Sequence, residues 1–304
     1  MRVLPLGVKT ADMTDTPQIL CIGSVLWDVI GRSDAAMRQG SDMPGRITRL
    51  PGGVALNIAM ALRRFGLSPS LLSAVGRDAD GEALIAACNA RGLGTDLIYR
   101  SDDLPTDQYM AVEGSNGLIA AIADAHSLEA AGDKILRPLE AASEPYTGAI
   151  ALDGNLTIDL LSQMAQSPLL AQADLRVAPA SPGKALRLSP FVQTGRGTLY
   201  VNLEEASLLC QMQFDSSQDA AKTLLERGAA RAVVTDGGNP ATVATPDDIV
   251  SQTPPPVSVT RVTGAGDTFM AAHIAAELRG LCAGDALDEA LSAAALYVSG
   301  ETTI

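Results

Sequence analysis

The run Gly264-Ala265-Gly266-Asp267 concentrates residue types able to do chemistry. It precedes a stretch, 270–280, whose apolar residues recur at helical spacing and which closes on Gly280, so it stands where a helix begins. A helix start presents unpaired N–H groups and the positive end of the dipole, which together favour an anion. Gly264 and Gly266 allow a ligand to approach the backbone closely. Asp267 sets a carboxylate beside that anion site. Repulsion from a bound phosphate would be tolerated there if the carboxylate takes the proton of an attacking hydroxyl. The competing reading is a dipole-favoured Asp with two turn glycines.

The elements that must carry this run alternate strand, turn and helix. Short apolar segments at 18–23, 70–75, 149–152, 175–177, 199–201 and 232–235 read as buried strands. Helical spacing appears at 54–65, 80–90, 157–166, 203–211 and 217–227. Such alternation predicts an α/β fold with a mostly parallel central sheet and helices on both faces. Ligands bind such sheets beyond the carboxyl ends of the strands, and Asp153, Asn202 and Thr235 each fall at such an end. Two stretches, 28–50 and 106–122, break the rhythm; the second has Glu113-Gly114-Ser115-Asn116-Gly117 as a hairpin turn. Residues 1–17 are mixed in character, without a signal-peptide pattern, and read as a loose tail before one domain at 18–304.

Composition narrows the partners. The net charge of −13 and the absence of a Lys/Arg cluster argue against nucleic acid and anionic membranes. Aromatic residues make up 3%, which leaves few stacking platforms for single-stranded nucleic acid. No apolar stretch is long enough to span a bilayer. Cys21, Cys88, Cys210 and Cys282 are far apart and read as reduced core residues of a cytoplasmic chain. His126 and His273 have no metal-ligand spacing, and His273 reads as packed rather than catalytic.

Four motifs, in order, resemble the ribokinase-like (PfkB) family of small-molecule kinases. They are Pro51-Gly52-Gly53-Val54-Ala55-Leu56-Asn57, Asn202-Leu203-Glu204-Glu205, Thr235-Asp236-Gly237-Gly238 and Thr263-Gly264-Ala265-Gly266-Asp267-Thr268-Phe269. The resemblance runs from about residue 19 to 299. It implies a ribokinase-like fold in which the two irregular stretches form a small β lid. It also implies transfer of the ATP γ-phosphoryl group to an alcohol, with magnesium as cofactor. By the same resemblance Asp267 is the base, and the N–H groups of Gly264, Ala265 and Gly266 hold the phosphoryl oxygens. Asp28, Gly52, Gly53 and Asn57 hold sugar hydroxyls. Asn202, Thr235, Gly237 and Gly238 line the nucleotide, and Glu205, with Asn202, steers magnesium through water. Each has a plainer reading: a turn Asp at 28, a core amide at 57, a helix-capping pair at 202 and 205, and a simple turn at 237–238.

Finer likeness is to the pseudouridine kinase subgroup, carried by Pro51 to Ala59, Leu71 to Gly76, Ile122 to Leu128, Val262 to Asp267, Asp153 to Leu156 and Ala180 to Ala185. That implies phosphorylation of the 5′-hydroxyl of pseudouridine. A ribokinase, another sugar kinase, or a non-catalytic nucleoside or sugar sensor on the same fold stays open. A sugar-phosphate acceptor would need extra cations, and Arg32, Arg38, Arg46 and Arg49 occur in the first irregular stretch. Many relatives carry an Asp that helps hold a monovalent cation where this chain has Arg261. A guanidinium is no cation ligand, so potassium is expected not to be required. The resemblance further suggests a homodimer through the lid. The chain ends at Ile304, which implies a shorter segment at the adenine side.

Overall fold

The computed structural model describes residues 19–301. The expected tail at 1–17 lies outside them.

In chain order the strands begin with β1 (Ile19–Ile22), β2 (Leu26–Arg32), β3 (Arg46–Gly52), β4 (Pro69–Leu72) and β5 (Ala74–Gly76). They continue with β6 (Tyr99–Ser101), β7 (Gln108–Gly114), β8 (Gly117–Asp124), β9 (Ala149–Asp153) and β10 (Asp174–Ala178). The last are β11 (Thr198–Asn202), β12 (Arg231–Asp236), β13 (Asn239–Ala244) and β14 (Ile249–Gln252). The helices are α1 (Val54–Arg64), α2 (Ala79–Asn89), α3 (His126–Ala131), α4 (Arg137–Glu140), α5 (Ile158–Gln166) and α6 (Ser189–Thr194). Then come α7 (Leu203–Cys210), α8 (Ser217–Glu226), α9 (Ala265–Leu278) and α10 (Ala283–Ser299).

The large sheet runs β14-β13-β12-β11-β10-β9-β1-β4. Pairing is parallel from β12 to β4, and β13 and β14 add an antiparallel edge. Its inner strands are largely apolar on both faces because both faces are covered, with the buried Arg176 of β10 an exception. Leu20 and Ile22 of β1 join a core with α5, α7 and α8, while Ile19 and Cys21 join one with α1, α9 and α10. The period of two in the strand thus sorts side chains into two layers. All parallel strands end on one side, so Asp153 at the end of β9 and Asn202 at the end of β11 emerge on a common edge.

The two irregular stretches build a second sheet, β3-β2-β7-β8. Its strands extend the first stretch read from sequence at both ends, to 26–52, and shift the second by two residues, to 108–124. Asp28 therefore lies within β2 and not in a turn after a strand: the apolar run of β1 ends at Ile22, and Leu26 starts a new strand in the other sheet. Cys21, Cys88 and Cys210 are buried as expected, but Cys282 is exposed, because it caps α10 at the surface. His273 is buried against Tyr200, whose hydroxyl lies 2.8 Å from Nδ1. One turn on, Glu277 pairs with Arg176 and Arg231, which fastens the far end of α9 to β10 and β12.

Among the described residues no helix is long and apolar enough to cross a membrane.

Candidate active site

Asp153 closes an apolar strand yet is fully buried. Its Oδ2 accepts from the Ser24 amide (2.8 Å), the Ser24 hydroxyl (2.9 Å) and the Ala55 amide (2.9 Å). Its Oδ1 accepts from the Asn155 amide at 2.8 Å. Ser24 Oγ in turn accepts from the Val54 amide at 2.8 Å and from Asn155 Nδ2 at 2.9 Å. Two orphan donors at the start of α1 are satisfied in this way, and the negative charge sits at the positive end of the helix dipole. Gly53, the N-cap, has φ 95°, and a Cβ there would meet the Ser24 carbonyl oxygen at 2.5 Å. The Gly-Gly motif is therefore also a packing requirement of this post.

One turn into α1, Asn57 donates from Nδ2 to Asp267 Oδ2 at 3.0 Å. The amide that interrupts an apolar helix thus finds its partner 210 residues away. Asp267 is the third residue of α9, whose N-cap is Gly264 at φ 87°. Burial pushes its pKa up to about 7; the Asn57 hydrogen bond opposes that rise, and the carboxylates of Asp153, Asp28 and Glu205 add to it. A carboxyl that titrates near 7 is matched to proton transfer at neutral pH. The three N–H groups expected to face an anion are not equivalent. That of Ala265 donates to the Val262 carbonyl at 3.0 Å, a turn bond that closes the loop before α9. Those of Gly264 and Gly266 have no partner among the described residues. A groove lined by Asn57, Arg64, Gly264, Asp267, Thr268 and Tyr297 opens beside them.

Asp28 reaches the same region from the small sheet. Its carboxylate packs on Gly52, where any Cβ would lie 2.1 Å from Oδ2. Burial raises its pKa to about 6. The root of that sheet is held by Asp80, early in α2. Its carbonyl accepts from Trp27 Nε1 at 3.0 Å. Its carboxylate meets Arg49 at 2.7 Å and Gln108 Nε2 at 3.1 Å. Arg49 also lies over the Trp27 ring, 4.3 Å from its centre. Strands β2, β3 and β7 each contribute one side chain to this post. Sequence reading missed it, since nothing local marks Asp80 among its acidic neighbours. It also assigned Asp153 no role, although an acid closing an all-apolar strand was a signal.

Asn202 and Glu205 form a reciprocal capping box at α7: Asn202 Oδ1 accepts from the Glu205 amide at 2.8 Å, and Glu205 Oε2 from the Asn202 amide at 2.9 Å. Thr235 is the register partner of Asn202 on the adjacent strand. Gly237 and Gly238 lie exposed in the β12–β13 turn with open space around them. Glu205 is buried, which raises its pKa, and Oε1 has no partner among the described residues. Such a carboxylate oxygen fits a water of a hydrated magnesium ion. Among the described residues no group of three His, Cys, Asp or Glu could hold a metal. The pair of Asn202 and Glu205 offers few protein ligands, as magnesium, which keeps waters and phosphates, accepts.

Comparison with known proteins gives the family and the fold. The pfkB family of carbohydrate kinases matches residues 16–304. The pseudouridine kinase of Escherichia coli is 28% identical over 267 residues, covering 85% of this chain and 83% of that protein. A carbohydrate kinase from Agrobacterium tumefaciens superimposes with a TM-score of 0.79 at 24% identity, covering 95% and 94% of the two chains. Arabidopsis thaliana ribokinase, complexed with ribose and ATP, gives 0.77 at 21% identity, covering 93% and 92%.

Proposed function

This chain belongs to the pfkB family of carbohydrate kinases and is a phosphotransferase with an alcohol acceptor, and on that premise we propose that it phosphorylates the 5′-hydroxyl of pseudouridine from ATP. The observation that carries the catalytic reading is the Asn57–Asp267 contact beside the N-cap of α9. Asp28, Gly53 and Asn57 hold the ribosyl hydroxyls. Asp267 takes the proton of the attacking hydroxyl as its oxygen bonds to the γ-phosphorus and the bond to the ADP oxygen breaks. The Gly264 and Gly266 N–H groups, with Ala265 between them, face the charge that develops on the phosphoryl oxygens. Asn202, Thr235, Gly237 and Gly238 flank the nucleotide. Magnesium, when bound near Glu205 and Asn202, supplies neutralisation of phosphate charge.

Likeness to the Escherichia coli pseudouridine kinase supports that acceptor, and the ribose-bound plant ribokinase supports a furanose in this cleft. Of the four arginines in the first irregular stretch, Arg32 is paired with Glu113 and Arg49 with Asp80, which leaves neither of these two free for a sugar-phosphate. Potassium is not needed on this reading: Arg261 stacks on Tyr297 at 3.8 Å and donates from Nε to the Tyr297 carbonyl at 2.8 Å, so a fixed cation stands next to the anion loop. The small sheet acts as a lid, and its outer face, with Ile47 77%, Ile122 67% and Met110 50% exposed, pairs with a second copy.

The test is ADP release with magnesium-ATP against pseudouridine, uridine, adenosine, ribose, fructose and fructose-6-phosphate. Turnover on pseudouridine far above that on every other acceptor, ribose included, is the expected result. Turnover on a sugar alone discards that acceptor, and nucleoside binding without turnover discards catalysis.

A further inference from the structure

The two faces of the small sheet do different things. Register places Leu50, Asp28, Tyr109 and Ala123 in one row across β3, β2, β7 and β8, so they share a face. Trp27 and Gln108 lie on the opposite face and dock on Asp80. The row faces the cleft, because the Asp28 carboxylate packs on Gly52 just before α1, the helix whose Asn57 meets Asp267.

We propose that Tyr109 is a specificity-determining residue of the acceptor site, its ring the platform for the flat base of a nucleoside whose ribosyl hydroxyls sit at Asp28. The inference rests on the nucleoside reading above. Neighbouring strands are about 4.8 Å apart, so Tyr109 stands one strand to the side of Asp28, within reach of a substituent on a sugar held there. The ring is half-buried, and its hydroxyl bonds to no described residue, so no core or network role accounts for it. Burial, then the Asp28 and Glu113 carboxylates, raise its pKa, in keeping with nearness to Asp28. Leu50, 52% exposed, flanks Asp28 on the other side. A bare sugar coated in hydroxyls would leave both apolar surfaces wet, whereas a base covers one of them.

The experiment compares kcat/KM for pseudouridine and for ribose in wild type, Tyr109→Ala and Tyr109→Phe. Stacking of one base on one aromatic ring corresponds to about a 10- to 100-fold effect. Tyr109→Ala should lose that much on pseudouridine and nothing on ribose, while Tyr109→Phe, which keeps the ring, stays near wild type. Wild-type turnover of pseudouridine with no loss in Tyr109→Ala, or with equal loss on ribose, overturns the proposal and leaves the nucleoside reading standing. Wild-type turnover of ribose but of no nucleoside brings down that reading and the proposal with it.

Discussion

The two walls of the cleft are each set by one carboxylate, and the two carboxylates live in different surroundings. Asp153 is fully buried and collects mainly backbone N–H groups from the ends of β1 and β9 and the start of α1. Asp80 has a side chain 37% exposed and collects side chains from three strands of the small sheet. Charge-assisted bonds in a dry interior are strong and costly to break. A half-exposed ion pair is screened by water and salt and contributes little. The wall that carries Asn57 and touches Asp267 is thereby rigid. The wall that carries Asp28 and Tyr109 is attached by contacts that can be remade at lower cost.

The largest expected effect lies on the rigid side. Asp267→Asn should cut kcat by about 10²- to 10⁴-fold, typical of loss of a general base, with ATP affinity from calorimetry unchanged. Near-normal turnover would remove Asp267 from that role. Asp153→Ala should destabilise the fold by about 3 kcal/mol in urea unfolding, since it strands several buried donors. Asp80→Ala on the other wall should cost at most about 1 kcal/mol. Equal losses at the two posts would erase the distinction between the walls.

Proton binding gives a subtler reading. With the Asp267 pKa raised to about 7, its base form accumulates only as pH rises through that value. The kcat/KM of the free enzyme should therefore fall on the acid side of about pH 7. An acid limb near pH 4 would mean that the carboxyl is not shifted. The same shift has a stability consequence of defined sign: its contribution is fully present below the ordinary carboxylate range and is lost as pH rises through about 7. The smallest expected effect is that of potassium. Replacing it with sodium should leave the rate unchanged, and several-fold activation would contradict the role given to Arg261.

The main parallel strands, most of the helices between them and the order of the site motifs were legible in the chain itself, whereas the antiparallel edge of β13 and β14 and the helices α6 and α10 were not read. Apolar runs such as Ile19–Ile22 and Ala149–Asp153 carry enough local signal to be read as buried strands. The capping box of Asn202 and Glu205 was legible too, because it is a contact between residues three apart. What the tertiary structure alone decided are the meetings of residues far apart in sequence. Asn57 with Asp267, Ser24 with Asp153, and Asp80 with Trp27, Arg49 and Gln108 depend on which strands become neighbours. Sequence period assigns a side chain to a face; only the pairing of sheets and helices says what stands opposite it. Asp28 is the clearest case, since its place within β2, rather than after β1, follows from a change of sheet that no local pattern announces.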